Sequence, residues 1–191
     1  MFTRNLKKFL PFGARGIATW QTPQLKAKAK QLALRNPHFA QDLKMLEDSA
    51  HDYRIEQHDG RGSYDHTQRR VRVGTSTAGL PGREEESFMH EVHHGSQHEA
   101  HSRSFPQDVV SQIWESPTHR RAMELSALST GKGSTRTPRA RQEVLDHWQK
   151  YDDEPGYGSA QEARRLLKSK FHTHSWSRLI ATDFRPEDLF K

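Results

Sequence analysis

The sequence predicts an α+β domain that is mostly helical and carries a small β-hairpin or sheet beside one long helix. Apolar residues recur at helical spacing over most of residues 22–130. Residues 51–80 differ, because there apolar and polar residues alternate around a glycine-containing turn. Only 32% of the 191 residues are hydrophobic, so we expect one domain with a modest core and a very polar surface.

The first two helices are delimited by proline. Thr22 before Pro23 is the pattern of an N-cap followed by proline at the first helical position, and the Lys- and Ala-rich run after it predicts a helix to about Asn36. Pro37 is expected to end that helix. A second amphipathic helix is predicted over residues 40–50.

The segment after these helices predicts β-structure. Tyr53 and Ile55 alternate with polar residues, residues 60–62 supply a turn with two glycines, and Val71 and Val73 alternate with polar residues again. We therefore predict a short β-hairpin or meander.

The rest of the chain is predicted to be helical, with linkers. Three consecutive glutamates favour the start of the long helix, because negative charge stabilises a helix N-terminus. The helices predicted after the strands cover residues 83–101, a stretch beginning near 105, and residues 117–128, 139–151 and 160–171. The chain is thus divided into a basic flexible arm or targeting segment (1–21), a main domain (22–130) and a helical C-terminal extension (131–191).

Positive charge is concentrated at the start of the chain. The formal net charge is +6, and residues 1–41 hold eight Lys and Arg and no acidic residue, so the remainder is slightly acidic. The body is therefore expected to have no general affinity for polyanions, whereas the first 41 residues have the charge to engage nucleic acid, lipid head groups or a transport receptor. No nucleic-acid-binding motif is recognisable, so no specific nucleic-acid partner is expected.

The sequence predicts neither membrane insertion nor Sec-dependent export. A spanning helix needs about 20 apolar residues in a row, and a secretory signal needs at least about 7. Glycine, proline and arginine interrupt every candidate in residues 1–21. We expect no transmembrane segment, no signal peptide, and a location that is cytoplasmic or reached by a non-Sec route.

The lack of cysteine restricts the chemistry of any metal site. With no cysteine in the chain, disulfide-stapled folds and thiolate-bound zinc or iron–sulfur sites are excluded. The chain does contain thirteen histidines. A metal site must therefore be built from histidine and carboxylate.

One motif with this chemistry lies in the long predicted helix. Residues 90–94 read His-Glu-Val-His-His, which is the pattern H-E-x-x-H. His90 and His94 lie about 40° apart on adjacent turns of one helix face, so both imidazoles can bind one Zn²⁺. Glu91 is then placed to act as general base toward a zinc-bound water, whose pKa the metal lowers to about 7.

The stretch from Phe88 to Gln97 resembles the active-site helix of zincin metallopeptidases. It is also similar to small bacterial metallopeptidase domains whose motif continues with a small residue and then Gln, matched here by Gly95 and Gln97. The resemblance covers residues 53–130 and implies a zincin-like fold and zinc-dependent hydrolysis of peptide bonds. It further implies that Arg70–Gly74 forms the lip of the substrate cleft, where the backbone of a bound peptide would pair with the strand edge.

A catalytic zinc site needs a third protein ligand. The metzincin extension fails, because Gln97 and Ala100 stand where it requires glycine and histidine. The gluzincin branch takes its third ligand from a glutamate on a following helix, and Glu124 resembles that glutamate. His98 and Glu115 remain alternatives for the third ligand.

Other histidines and tyrosines are assigned lesser roles. His93 is rotated away from the pair on a helical wheel and is expected to face solvent or a partner other than the metal. His101 is expected to be solvated or to support the site. The developing oxyanion also needs a donor, for which the sequence offers four candidates, His119, His147, Tyr151 and Tyr157.

These observations predict a zinc metallopeptidase of the gluzincin type that acts on a protein or peptide. It would hold one Zn²⁺ per chain on His90, His94 and Glu124, with Glu91 as general base. The alternative is a catalytically inactive zincin-like module that engages nucleic acid or an anionic membrane through its basic arm. That alternative predicts salt-dependent binding that is lost when residues 1–41 are deleted.

Overall fold

The structure is a computed structural model that describes residues 18–75, residues 84–131 and Gly158. Most of the predicted arm and of the C-terminal extension, including the helices predicted over 139–151 and 160–171, lies outside the described residues. The elements in chain order are β1 (Thr19–Trp20), α1 (Pro23–Arg35), α2 (Pro37–Glu47), β2 (Arg54–His58), β3 (Ser63–Asp65), β4 (Arg70–Gly74), α3 (Glu84–Ser104), α4 (Gln107–Glu115) and α5 (Pro117–Gly131).

Helices α1 and α2 begin at capping residues. Thr22 Oγ1 accepts a hydrogen bond from the backbone N–H of Leu25 at 3.2 Å, which confirms the predicted start of α1. Asn36 both ends α1 and caps α2, because its Oδ1 accepts hydrogen bonds from the two N–H groups that follow Pro37, at 3.1 Å each. Helix α2 therefore begins three residues earlier than predicted, since Pro37 starts the second helix as well as ending the first.

The four strands form one mixed sheet in the order β1-β2-β4-β3. Strands β2 and β4 are parallel, with Ile55 opposite Val71, so the prediction of a hairpin between these two segments is wrong. The hairpin is instead formed by β3 and β4, which are antiparallel. A turn after Asp65 reverses the chain there, because Asp65 Oδ1 accepts hydrogen bonds from the N–H groups of Thr67 and Gln68 at 3.0 and 3.1 Å.

The edge of the sheet differs from the prediction. Strand β4 (Arg70–Gly74), expected to form the lip of a cleft, is paired with β2 on one side and β3 on the other. Within the described residues, β3 (Ser63–Asp65) is the edge strand at this end of the sheet. The three-residue strand between the predicted ones is too short to be recognised from alternation.

The main core lies between α1, α2, the sheet and α3. Its fully buried members include Phe39, Leu46, Ile55, Phe88 and Val92. A second cluster joins α4 and α5 and contains Val110, Ile113, Trp114 and Met123. The α+β class predicted from the sequence is confirmed. None of the described helices combines the length and apolar character that crossing a membrane requires.

Helix α3 is unusual because its buried surface is mostly polar. Twelve of its residues are buried, but Phe88, Met89 and Val92 are the large apolar ones among them. The helix packs against α2, α5 and the sheet. Buried polar groups are costly unless they are hydrogen-bonded, so the partners of these side chains determine what α3 can do.

Candidate metal centre

His90 and His94 meet on one face of α3. Their Nε2 atoms are 3.1 Å apart, and their ring centroids are 4.7 Å apart with the planes at 84°. This is the geometry expected of residues one helical turn apart. His94 is buried, with 6% of its surface exposed, and His90 is half-buried. Two imidazole nitrogens therefore converge on one point at the edge of the core.

Glu124 reaches the same point from helix α5. One carboxylate oxygen, Oε2, lies 3.1 Å from His90 Nε2, and the other, Oε1, lies 3.4 Å from His94 Nε2. Helix α5 packs along α3, and the buried Ala127 one turn further on gives room for that approach. The structure thus brings together the three residues proposed from the sequence as metal ligands.

The donor set fits a zinc ion. Zinc bonds of about 2.0–2.1 Å in a tetrahedron place neighbouring donor atoms about 3.3 Å apart. The separations between the donors of His90, His94 and Glu124 are 3.1, 3.1 and 3.4 Å. Two imidazoles and one carboxylate are also the ligands found in catalytic zinc sites that keep a fourth position open.

Glu91 lies beside this set and is nearly enclosed. Its carboxylate oxygen and the nitrogens of His90 and His94 all lie within 4.8 Å of one another, and 8% of its surface is exposed. Gly62, just before β3, lies against it: a Cβ added at Gly62 would be 3.2 Å from Glu91 Cγ and would collide with Ser87 Oγ. The turn before the edge strand therefore helps to hold Glu91 in place.

Burial and charge divide the roles of the two glutamates. Burial raises the pKa of Glu91, and the imidazoles of His90 and His94 offset this only in part. Burial also acts to raise the pKa of Glu124, but there His94 and His90 outweigh it, and the pKa lies well below the usual value. Glu124 is thus held as a carboxylate, as a metal ligand must be, whereas Glu91 is shifted toward the range useful for proton transfer.

The pKa of His94 is shifted by its contact with Glu124. Burial alone would lower its pKa, but the charge and hydrogen bond of Glu124 raise it to about 9. Without a metal, a proton on the imidazole therefore supplies the positive charge that the carboxylate attracts. A bound cation would replace that proton.

His93 points away from the pair and is fully buried. Its Nδ1 lies 2.6 Å from Asp42 Oδ2 on helix α2, and Ser96 Oγ donates a hydrogen bond to Asp42 Oδ1 at 2.6 Å. His93 therefore has a protein partner and does not face solvent. Asp42, which the sequence did not single out, connects α2 to the helix that carries the motif.

His98 and His101 face Trp114 on α4. His98 Nδ1 is 2.9 Å from the hydroxyl of Tyr64, and its ring is 5.1 Å from that of Trp114. Burial, followed by the charge of Arg69, lowers the pKa of His98 to about 3. His101 is 1% exposed and its ring is 6.3 Å from Trp114, so the prediction of a solvated His101 is wrong.

The alternative third ligands lie elsewhere. His98 is engaged by Tyr64, and Glu115 is exposed at the end of α4. Of the three candidates, Glu124 is the one seen in contact with both imidazoles.

Of the four candidates for the oxyanion donor, His119 is the one in the described part of the chain. His119 lies in the first turn of α5. Its Nδ1 is 3.0 Å from Ser116 Oγ, and burial lowers its pKa. The other three candidates, His147, Tyr151 and Tyr157, lie outside the described residues. Arg61, which the sequence did not single out, is exposed beside Gly62. Its charge opposes the burial that raises the pKa of Glu91.

Gln97 is the further site residue whose role the sequence left open. It is fully buried, and its side chain lies 2.9 Å from His94 Nδ1 and 3.2 Å from the carbonyl oxygen of Met123. The feature of the sequence that could have indicated this role is a glutamine three residues after the second histidine of the motif.

No protein-family model, no curated protein and no solved structure matches this chain.

Proposed function

We propose that this chain is a zinc-dependent metallopeptidase. In this proposal His90, His94 and Glu124 hold zinc, and Glu91 is the general base. The observation that supports it best is the position of Glu124, whose two oxygens lie 3.1 and 3.4 Å from the two imidazoles although it comes from a different helix. Two imidazole nitrogens and a carboxylate brought together from two different helices are the donor set of a catalytic zinc site.

Three protein ligands suit a catalytic site better than a structural one. Structural zinc sites use four protein ligands, whereas catalytic sites leave a position open. Bound zinc would supply Lewis-acid chemistry, lowering the pKa of a coordinated water to about 7 and polarising the peptide carbonyl. The ligand residues fix the position at which this chemistry would occur.

Glu91 moves the proton in the proposed mechanism. It follows His90 directly in the sequence, and its carboxylate oxygen lies within 4.8 Å of the nitrogens of His90 and His94. It accepts a proton from the attacking water and returns it to the leaving amine. Its raised pKa supports this cycle, because a base that must also act as an acid works best with a pKa closer to neutral than an exposed glutamate has.

The edge strand provides a place for an extended substrate. Strand β3 is an edge of the sheet in the described part of the chain, and Gly62 just before it lies against Glu91. A peptide that adds to β3 as a further strand would use main-chain hydrogen bonds and would lead past the base. The proposed substrate class is therefore an extended segment of protein or peptide.

Metal content tests the ligand set. The full-length protein, purified without a His-tag, is expected to bind one zinc per chain, and both His94→Ala and Glu124→Ala are expected to lose it. Glu115→Ala is the matched control, because it removes an exposed glutamate from the neighbouring helix. Zinc retained in Glu124→Ala, or no stoichiometric zinc in the wild type, would contradict the proposed ligands.

Activity tests the role of Glu91. Glu91→Gln is expected to keep zinc and to lose peptide hydrolysis, because the amide fills the same space but cannot accept the proton. Full activity in that variant would rule out the mechanism. Zinc binding in the wild type without hydrolysis of any peptide or protein in a broad panel would instead favour the inactive binding module.

A further inference from the structure

One side chain connects a proposed ligand to the helix that carries another. Gln97 lies on α3, three residues after His94, and is fully buried. One end of its amide is 2.9 Å from His94 Nδ1, and the other end is 3.2 Å from the carbonyl oxygen of Met123. Met123 is the residue before Glu124. Gln97 therefore contacts one proposed ligand, His94, and the backbone next to another, Glu124.

The hydrogen bonds of Gln97 fix where the His94 ring carries its proton. A backbone carbonyl can only accept, so the end of the amide that meets Met123 must be the NH₂ group. The other end is then the oxygen, which can only accept. His94 Nδ1 must therefore carry a hydrogen and donate it to Gln97, and the Nε2 atom of a neutral His94 has its lone pair free on the side facing His90 and Glu124.

The same amide also fixes the separation of the two helices. The contact with the Met123 carbonyl joins α3 to α5 immediately beside Glu124. A shift of α5 along α3 would break this bond and move the Glu124 carboxylate away from the two imidazoles. Neither hydrogen bond is exposed to water, because Gln97 has 0% of its surface exposed.

We propose that Gln97 is a positioning residue of the metal centre, which orients His94 as a metal ligand and holds the Glu124 helix in register. The inference rests on the proposed function in one respect, that His90, His94 and Glu124 bind zinc. The expected effect follows the general behaviour of groups that hydrogen-bond metal-binding histidines, whose loss lowers metal affinity by about 10–100-fold.

A purely structural role for Gln97 makes a different prediction. In that case replacement would lower stability and would change zinc affinity no more than any equally disruptive change in α3. Ser96 provides the comparison, since it is adjacent, equally buried, and hydrogen-bonded to Asp42 on α2 rather than to a residue of α5. Ser96→Ala removes a buried hydrogen bond of α3 without touching a proposed ligand.

The experiment measures zinc affinity in the full-length wild type, Gln97→Met, Gln97→Glu and Ser96→Ala, by competition with a chromophoric chelator. Methionine has similar length to glutamine but makes neither hydrogen bond. Glutamate keeps an acceptor for His94 and loses the donor to Met123. The thermal stability of each metal-free variant is measured in parallel, so that affinity can be compared with stability.

We expect Gln97→Met to bind zinc about 10–100-fold more weakly than the wild type, and Ser96→Ala to stay within about threefold despite a lower melting temperature. Gln97→Glu is expected to bind zinc more tightly than Gln97→Met, because the acceptor for His94 is restored, and more weakly than the wild type, because the bond to Met123 is lost. If Gln97→Met does not fold, Gln97→Glu is compared with Ser96→Ala. Zinc binding more than about threefold weaker than that of Ser96→Ala supports the inference, and equal binding in the two variants overturns it.

Two results would overturn the inference. Gln97→Met could bind zinc within about threefold of the wild type, or Ser96→Ala could lose as much affinity as Gln97→Met. Either result leaves the proposed function intact, because the wild type still binds zinc. A wild type that binds no zinc would overturn the proposed function and this inference together.

Discussion

Acidification is expected to destabilise the metal-free protein through His98. Its pKa is about 3 in the folded chain, against 6.5 for an ordinary histidine, because burial and the charge of Arg69 disfavour the protonated ring. Between these two values the unfolded chain binds a proton that the folded chain does not. The free energy of unfolding contributed by this group therefore decreases as pH falls from 6.5 toward about 3, and is constant above that window.

The expected magnitude is large relative to the stability of a small domain. Each pH unit within the window is worth about 1.4 kcal/mol, so lowering the pH from about 6.5 to about 4.5 removes about 2–3 kcal/mol. Typical domains have only about 5–15 kcal/mol in total. His98 is 2% exposed, so screening by solvent reduces this loss of stability only slightly.

Urea unfolding between about pH 7.5 and pH 4.5, with a chelator present, measures the effect. The comparison is wild type against His98→Asn, in which the amide oxygen can accept the Tyr64 hydroxyl hydrogen in place of Nδ1 but does not titrate. The free energy of unfolding of the wild type should fall more steeply below about pH 6.5, by about 1.4 kcal/mol per pH unit. Other titrating groups are common to both proteins. Equal slopes would refute the assignment of a neutral, buried His98.

Three further predictions concern the site and its support. Gly62→Ala should keep zinc but lower kcat/KM about tenfold, because the added Cβ would collide with Ser87 Oγ and lie 3.2 Å from Glu91 Cγ, so that the α3 segment carrying the base must shift. Unchanged kinetics would mean that this turn does not hold the base. Asp42→Ala should lower the free energy of unfolding by about 1–3 kcal/mol, measured in urea, because it removes the buried carboxylate that His93 Nδ1 and Ser96 Oγ both contact. A change below about 0.5 kcal/mol would contradict that. Zinc at about 100 times its Kd should stabilise the wild type by about 2.7 kcal/mol in thermal unfolding and should leave Glu124→Ala nearly unchanged; an equal shift in both would place the metal elsewhere.

Local patterns in the sequence predicted much of the backbone. The Thr22-Pro23 cap and the long helix that carries the motif were recognisable because caps, prolines and acidic first turns act over a few residues. The positions of His90 and His94 follow from helix periodicity alone. Glu124 was reached by family resemblance, and the structure places it in contact with both histidines.

The remaining features depend on contacts between distant segments. The parallel pairing of β2 with β4 cannot be derived from alternation, which is the same for parallel and antiparallel strands. Burial of His93 and His101 was missed because a histidine-rich helix looks solvent-exposed until its partners, such as Asp42 and Trp114, are known. Gln97 was visible in the motif, but its two hydrogen bonds require the docked position of α5.

The polar buried surface of α3 also determines how uniquely this fold is specified. Apolar side chains tolerate a helix that rotates or slips by a fraction of a turn, because dispersion contacts are not directional. The pairs that α3 makes with Asp42, Tyr64 and the carbonyl of Met123 are directional, and a slip would leave all of them buried and unsatisfied at once. Alternative packings of α3 are therefore destabilised by the unsatisfied polar groups they would bury. Changes in this helix should be tolerated mainly as compensating pairs, with one partner on α3 and the other on the element it faces.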